Sequence, residues 1–272
     1  MPYKMVIVNR QDGIGTITLN RPDKRNAFNM EMMGEMDMAL EELAKDKEVK
    51  AIILTGYDKV FSAGLDFNWA ATMDTENLPS IASTVRGRAV AYSERSLLTL
   101  VLKMQSMPKP VIAAINGITL GGAFVLAVAC DLKIASENAQ LGMIQVKRGL
   151  IPDGGGTYLL PRAVGLTKAL ELALVADRID AREAERIGLV NKVVPHDELM
   201  NAAREMAMKI ARNAPLAVAM TKAAMYRGLH EPDLAEHMDY EVYIMNILFG
   251  TEDFQEGMSS LFEKREPTFK GK

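Results

Sequence analysis

Cysteine and histidine are scarce in this sequence of 272 residues. Cys130 is the single cysteine, so no intramolecular disulfide is able to form, and we expect a reducing, cytoplasmic compartment. The three histidines, His196, His230 and His237, are scattered late in the chain. A transition metal needs several such ligands at close spacing, so we expect no metal site.

An excess of charge and a long hydrophobic run are also missing. The 32 basic and 35 acidic side chains give a formal net charge of -3, which argues against nucleic acid as a partner because phosphate binding needs a basic surface. No stretch reaches about 18 consecutive apolar residues, so no membrane span is expected. Residues 1–10 lack the apolar segment of a secretory signal. What is present is a hydrophobic fraction of 49%, which is ordinary for a globular protein with a real core.

The pattern of apolar residues predicts strands and helices mixed through the first two-thirds of the chain, then helices alone. Asp12-Gly13 is a hairpin turn signal, and Asn29 is a suitable N-cap for the first helix. We predict strands at residues 5–8, 14–19, 51–54, 111–115, 132–135 and 190–194. We predict helices at residues 30–45, 80–104, 122–129, 166–176, 181–187 and from 197 onward.

These elements predict an α/β core over residues 1–196 and a helical C-terminal region over residues 197–272. No low-complexity linker separates the two, so the second is an extension of the first. The final helices carry more apolar side chains than one face needs, and either the core or a neighbouring subunit must cover them. These side chains are Tyr240, Val242, Ile244, Met245, Ile247, Leu248 and Phe249.

Two glycine-containing segments each follow a buried strand. Residues 61–66 read Phe-Ser-Ala-Gly-Leu-Asp, and residues 116–123 read Asn-Gly-Ile-Thr-Leu-Gly-Gly-Ala. Glycine lets the backbone approach a ligand closely, and a helix start presents free N–H groups. Two such groups from separate loops are able to hold one developing oxyanion. For either segment alone, the alternative is a turn that simply ends a strand. A phosphate loop is a poorer interpretation, because neither segment has the required glycine spacing.

Together with motifs elsewhere, these segments resemble the crotonase superfamily, the enoyl-CoA hydratase/isomerase proteins. The resemblance covers nearly the whole chain. Its motifs are residues 19–22 (Leu-Asn-Arg-Pro), 26–27 (Asn-Ala), 61–66, 109–117, 120–122 (Leu-Gly-Gly), Asp131, 149–152 (Gly-Leu-Ile-Pro), 155–157 (Gly-Gly-Thr), 160–162 (Leu-Pro-Arg), 256–258 (Glu-Gly-Met) and 262–265 (Phe-Glu-Lys-Arg).

The resemblance implies a crotonase-like spiral of ββα units and a C-terminal helical region that builds a homotrimer, or a hexamer of two trimers. It implies an acyl-CoA thioester as the ligand, with coenzyme A as part of the substrate and no separate cofactor. It places the oxyanion-hole N–H groups at Leu65 and Gly122. Lys264 matches a position that reaches the nucleotide of CoA across a subunit interface, although by itself it reads as a solvated charge. Further substrate contacts are implied at Arg25, Ala27, Ala63, Gly64, Asp66, Gly121, Val125 and Gln145.

The acid and base groups decide which reaction follows. Hydratases of this family use two glutamates, and the matching residues here are Val125 and Gln145, neither of which exchanges a proton at neutral pH. Asp153 remains nearby in sequence, where the family's isomerases carry an acid. One carboxylate is enough to move a double bond, because it takes a proton from one carbon and returns it to another. Gln145 is expected to orient substrate or water.

We therefore predict an enoyl-CoA isomerase with Leu65, Gly122 and Asp153 as the catalytic residues. Two alternatives stay open for the function. Asp153 directs water in an enoyl-CoA hydratase or acyl-CoA hydrolase, or the chain is a non-catalytic acyl-CoA-binding scaffold. For Asp153 itself, the alternative is a helix N-cap before residues 154–160.

Overall fold

The computed structural model describes residues 3–71 and 97–272. Within these ranges the strands form two sheets, one of six strands in the order β1-β2-β3-β5-β7-β10 and one of four in the order β4-β6-β8-β9. The strands are β1 Val6–Gln11, β2 Ile14–Leu19, β3 Ala51–Gly56, β4 Val60–Ser62, β5 Val111–Ile115, β6 Ile118–Leu120, β7 Leu132–Ser136, β8 Gln140–Gly142, β9 Ile179–Asp180 and β10 Lys192–Val194.

Helices follow the strand pairs and then make up the C-terminal part of the chain. Their bounds are α1 Met30–Lys45, α2 Phe67–Ala70, α3 Leu97–Ser106, α4 Gly122–Ala129, α5 Gly156–Val164, α6 Leu166–Leu170, α7 Ala181–Arg186, α8 Leu199–Ala211, α9 Pro215–Gly228, α10 Leu234–Phe249 and α11 Glu252–Glu263. Of the helix predicted over residues 80–104, residues 80–96 lie outside the described residues. None of the described helices is long and apolar enough to cross a membrane.

The first elements form for local reasons. Asp12 and Gly13 both have positive φ, as a tight hairpin turn requires, and β1 pairs antiparallel with β2. The Asn29 side chain accepts a hydrogen bond of 2.9 Å from the Met32 N–H, which caps the start of α1. The predicted hairpin and first helix are both confirmed.

The chain passes repeatedly from the large sheet to the small one. β3 leads to β4, β5 to β6, and β7 to β8, and the strands within each sheet are mostly parallel. A helix follows the second strand of each pair. This is the predicted α/β spiral of ββα units. Its consequence is that the ends of β4, β6 and β8 lie side by side, and the loops that follow them meet at one edge.

Two apolar clusters hold the layers together. The larger lies between the large sheet, α1, α3 and α4, and every residue of α4 from Ala123 to Ala129 is buried. The smaller lies on the other face of the large sheet, where α8 packs on β3 and β5. A helix surrounded on all sides is a rigid support for whatever stands at its start.

The C-terminal end departs from the predicted helix. α11 ends at Glu263, and Lys264 takes a left-handed conformation that stops it. The Asp253 carboxylate accepts hydrogen bonds of 2.7 and 2.8 Å from the N–H groups of Lys270 and Gly271. Acidic side chains of α11 therefore hold the last residues in an irregular path, so the prediction of helix throughout was wrong for residues 264–272.

Candidate active site

The segment after β4 leaves one backbone amide unbonded. Phe28 donates to the Gly64 carbonyl at 2.7 Å and accepts from the Asp66 N–H at 2.9 Å. These two bonds flank Leu65, whose own N–H points to the other side of the extended segment. Among the residues that the structure describes, none accepts a hydrogen bond from the Leu65 N–H. The amide therefore stays available to a ligand.

The segment after β6 provides a second free amide. Gly121 has φ 57° and ψ -121°, a conformation of type II′ turns that glycine alone adopts readily. Its N–H bonds to the Gly142 carbonyl at 2.9 Å. Gly122 follows as the first residue of α4, where a helical N–H has no partner within the helix. Within the described part of the chain, no acceptor pairs with it.

The two segments are in direct contact. A methyl group added at Gly64 would lie 3.3 Å from the Gly122 nitrogen and well inside contact distance of the Leu120 carbonyl oxygen. Because Gly64 is bonded to the Leu65 nitrogen, the two amide nitrogens lie at most about 7 Å apart. Phe28 packs under both segments, 3.9 Å from the same kind of methyl group at Gly122. The contact between the two segments therefore brings the Leu65 and Gly122 amides close to each other.

A buried ion pair fixes the residues in front of α2. Arg21 donates to the Asp66 carboxylate at 2.7 Å and to the Ala27 carbonyl at 2.9 Å. The hydrogen bond from Arg21, above all, holds the pKa of the Asp66 carboxyl below its ordinary value. The Asp66 side chain also caps α2, and its N–H is already bonded to Phe28. Asp66 is therefore fully engaged within the protein, and its assigned contact with CoA stays a prediction.

Two other residues assigned to CoA binding, Ala63 and Arg25, are joined by a backbone hydrogen bond. The Ala63 N–H donates to the Arg25 carbonyl at 3.0 Å, which joins the segment after β2 to the segment after β4. Arg25 is exposed and has a φ of 51°. Its guanidinium is thus open to an anionic ligand.

Lys264 is exposed at the C-cap of α11, and its contact with a neighbouring subunit's CoA remains a prediction.

Asp153 lies in the loop before α5 and does not cap the helix. The N-cap is Gly155, with φ 92° and no side-chain hydrogen bond. The alternative interpretation of Asp153 as a helix cap is therefore wrong, because two glycines with positive φ make the turn without it. Its carboxyl forms no ion pair with any residue in the described ranges.

The Asp153 loop packs against the same elements as the oxyanion segments. A methyl group added at Gly154 would lie 2.8 Å from Leu97 Cδ2, and one added at Gly122 would lie 3.3 Å from that atom. Leu97 therefore touches both loops. Val125 is fully buried and contacts the same turn, 3.6 Å from such a methyl group at Gly154. Asp153 therefore directly precedes a glycine that packs against apolar side chains, and one of these, Leu97, also packs against Gly122.

The surroundings of Asp153 raise the pKa of its carboxyl. The side chain is open to solvent on one side, yet partial burial by protein still moves the pKa above the ordinary value for aspartate. Burial in apolar surroundings disfavours the charged form, and no cation among the described residues pairs with this carboxyl. The direction is the one that general base catalysis at neutral pH requires.

Gln145 is buried with its side-chain amide unpaired. It opens the 3-10 turn Gln145–Arg148 that follows β8, and its carbonyl accepts a hydrogen bond from Leu150 at 3.2 Å. Neither Oε1 nor Nε2 has a hydrogen-bond partner among the described residues. Val125 and Gln145 are thus both inside the protein, as their assignment to the site requires.

Sequence reasoning missed two residues that shape the site. Arg21 was part of a motif but carried no role, although its guanidinium joins Ala27 to Asp66. Leu97 was unassigned, although it packs on Gly122 and Gly154. The pairing of Arg21 with a distant carboxylate left no local signal. Gly122 and Gly154 were the available signal for the role of Leu97, because each glycine leaves space that a side chain from elsewhere must fill.

Comparisons with known proteins identify the family of this chain. The family model described as "Enoyl-CoA hydratase/isomerase" matches residues 9–272. The short-chain-enoyl-CoA hydratase of Clostridium acetobutylicum is 39% identical over 267 residues, 98% of this chain and 97% of that protein. The crotonyl-CoA hydratase of Syntrophomonas wolfei is 37% identical over 270 residues, 99% of each chain. The solved enoyl-CoA hydratase from Bacillus anthracis matches with a TM-score of 0.89 and 35% identity, over 99% of this chain and 100% of that one.

Proposed function

Because the chain belongs to the enoyl-CoA hydratase/isomerase family, we propose that it moves the double bond of an enoyl-CoA. At the level of the family, the chain is an acyl-CoA-processing enzyme. The observation that supports the proposed isomerisation is the Asp153 carboxyl, which forms no ion pair with any described residue and lies in the loop that packs beside Gly122. Leu65 contributes the second amide, which has no acceptor among the described residues.

The two amides supply the electrophilic part of the reaction. In the proposed complex the thioester oxygen accepts hydrogen bonds from the Leu65 and Gly122 N–H groups. Negative charge grows on that oxygen when a proton leaves the carbon chain, and each well-placed donor lowers the barrier by about 3 kcal/mol. Gly122 adds the positive end of the α4 dipole, since the helix starts at this residue.

Asp153 supplies the proton transfer. As a carboxylate it removes a proton from C2 of a 3-enoyl-CoA, which leaves a dienolate held by the two amides. The same group, now protonated, delivers the proton to C4 and yields the 2-enoyl-CoA. The raised pKa of Asp153 supports the proton removal from C2, because it makes the carboxylate a stronger base than an ordinary aspartate.

The side chains of Val125 and Gln145 favour isomerisation over hydration. Val125 and Gln145 occupy the positions where the family's hydratases carry glutamates, and neither is able to take a proton from water. Val125 also covers the turn after Asp153 with apolar surface. One carboxylate beside an apolar wall is sufficient for a proton shuttle, whereas water addition needs a second group.

Hydration is the second candidate, and the relatives favour it. The proteins of Clostridium acetobutylicum and Syntrophomonas wolfei bear the names of hydratases. For this chain, hydration requires Asp153 to direct the water, with Gln145 as a hydrogen-bonding partner. Acyl-CoA hydrolysis uses the same water and differs only in the carbon that is attacked.

One assay set separates these functions. Purified protein is incubated with 3-enoyl-CoA and, separately, with 2-enoyl-CoA in ¹⁸O-labelled water, and the products are followed by mass spectrometry. Isomerisation gives a shifted double bond without a change in mass. Hydration adds labelled water to the 2-enoyl substrate, and hydrolysis releases free CoA. CoA binding without any product would instead identify a scaffold.

We also propose that α10 and α11 join copies of this chain into a homotrimer or a hexamer of two trimers, as the resemblance implies. Within α10, Ile244 alone is buried. The chain therefore does not cover this helix by itself, which favours the neighbouring-subunit alternative. Large apolar side chains remain exposed on the two helices, with Leu234 at 72% and Phe262 at 77% exposure.

A further inference from the structure

The amide of Gln145 differs from the other buried side-chain amides of the described chain. Asn26 donates to the Tyr57 and Val60 carbonyls and accepts from Arg21. Asn116 is paired in the same way with Gly56 and Asp58. Gln145, which is 8% exposed, pairs neither Oε1 nor Nε2 with any described residue.

An amide in this state is costly to bury. It loses its hydrogen bonds to water and gains none from the protein, so such groups persist mainly where a ligand or a bound water completes them. Its backbone does not need the side chain, because the turn at Gln145 closes through the carbonyl that accepts from Leu150. A leucine of similar size would fill the same volume without that cost.

The segment that carries Gln145 lies between the oxyanion loop and the Asp153 loop. Three residues earlier, the Gly142 carbonyl accepts from Gly121 in the oxyanion segment. Met143 Cε is 3.2 Å from the position of a methyl group added at Gly156, on the turn that follows Asp153. The segment that carries Gln145 thus contacts the oxyanion loop on one side and the Asp153 loop on the other.

We propose that Gln145 is a specificity residue that recognises an oxygen on the acyl chain beyond the thioester. Its carbonyl and amino ends are both unpaired, and a hydroxyl group is able to satisfy both because it donates and accepts. A keto oxygen satisfies the amino end alone. The preferred substrates are therefore hydroxylated acyl-CoA thioesters. This inference rests on the proposed function, since it uses the same acyl-CoA site.

Matched acyl-CoA pairs test the inference without any turnover. The pairs are 3-hydroxypropionyl-CoA with butyryl-CoA, and 4-hydroxybutyryl-CoA with pentanoyl-CoA, so a hydroxyl replaces a methyl group at two distances from the thioester. Dissociation constants are measured by calorimetry on Asp153→Asn and on Asp153→Asn with Gln145→Leu. Mass spectrometry verifies that each ligand is unchanged.

We expect Asp153→Asn to bind the hydroxyl member of at least one pair about tenfold more tightly, which is about 1.4 kcal/mol. Gln145→Leu is expected to reverse that preference in favour of the methyl member. Gln145→Met serves as a second apolar variant if the leucine protein folds poorly. Methyl preference in both pairs, or a hydroxyl preference that survives Gln145→Leu, overturns the inference.

The failure of the inference is distinguishable from failure of the proposed function. If all four thioesters bind but show no hydroxyl preference, the acyl-CoA site stands and only the role of Gln145 is wrong. If neither free CoA nor any thioester binds, the acyl-CoA site is wrong and the inference is lost with it.

Discussion

Two single residues, Gly64 and Asp153, decide most of the chemistry at this site. Asp153 is available for the proposed role of catalytic carboxyl, because its helix begins without it and no described cation neutralises it. Gly64 allows β4 and β6 to meet, since its φ is 89° and any side chain would press on the Leu120 carbonyl. Both roles follow from the environment of the residue, which its identity alone does not give.

Asp153→Asn tests the proton shuttle. We expect turnover to fall by about 10²- to 10⁴-fold, the usual contribution of a positioned acid or base, while CoA binding survives. In the wild type the base must be ionised, so kcat/KM should rise with pH through a pKa above about 4, the ordinary aspartate value. Steady-state kinetics between pH 4 and 9 measures both. An unchanged acid limb in the asparagine variant would contradict the assignment.

Asp153→Asn should lower turnover, but we expect it to leave the folded protein at least as stable as the wild type at neutral pH. A carboxyl whose pKa is raised in the folded state binds its proton more tightly there than in the unfolded chain. Asp153 therefore lowers stability as pH rises from the unfolded pKa through the folded pKa, and the loss is complete once the pH exceeds the folded pKa. Thermal unfolding should show Asp153→Asn at least as stable as wild type at pH 7, with any advantage gone near pH 3.

Gly64→Ala tests the contact between the two oxyanion segments. The new methyl group meets the Leu120 carbonyl and crowds the Gly122 nitrogen, so we expect nearly complete loss of turnover. Gly149→Ala is a matched control, because Gly149 also has a positive φ of 70° but nothing within 4 Å of the added methyl. It should cost about 1–2 kcal/mol of stability and keep its activity. Equal activity of the two variants would place the reaction elsewhere.

At the level of elements, the strands of the large sheet were predictable and those of the small sheet were not. β3, β5 and β7 are five or six residues long and mostly apolar, which is long enough to show a pattern. β4, β6, β8 and β9 have two or three residues each. β4, β6 and β8 form because the preceding strands of the large sheet place them side by side, and β9 then pairs with β8; no local pattern indicates that.

A buried ion pair attaches α9 to the core. Lys222 donates to the Asp131 carboxylate at 2.7 Å and to the Met104 carbonyl at 2.7 Å. Asp131 also accepts from the Val111 N–H at 2.7 Å. The pair therefore joins α9 to the end of α3 and to the start of β5.

Lys222→Met should destabilise the protein by about 3–5 kcal/mol, because it leaves the Asp131 charge partly buried without its partner. Lys209→Met is the control, since Lys209 pairs only with Glu205 on the exposed face of α8, and it should have no measurable effect. Chemical denaturation measures both free energies of unfolding. Similar values for the two variants would show that the α9 contact is not important for stability.

At the level of the whole molecule, α10 and α11 carry an apolar surface that one chain leaves uncovered. An exposed surface of this kind is typical of a subunit interface. The sequence predicted the excess of apolar residues, and the fold determines that the core does not cover them.

Val242→Lys with Tyr243→Lys tests this interface. Both side chains are exposed on α10, so the single chain should still fold, while two added charges oppose association. Light scattering after size exclusion should give a trimer or hexamer for wild type and a smaller species for the variant. Ile7→Lys, an exposed apolar residue on β1, should keep the wild-type mass. A monomeric wild type at micromolar concentration would refute the assembly.

The sequence by itself determined the family, the order of the large-sheet strands along the chain, the starts of α1, α4, α6 and α7, and the replacement of two glutamates by Val125 and Gln145. These follow from residue identity, local periodicity and capping, all of which act over a few neighbouring residues. Tertiary structure decided that, among the described residues, the Leu65 and Gly122 amides and the Gln145 side chain have no hydrogen-bond partner, and that Asp153 does not cap its helix. Each of these depends on which distant groups come within hydrogen-bond reach, and only the packed arrangement of the sheets brings those groups together.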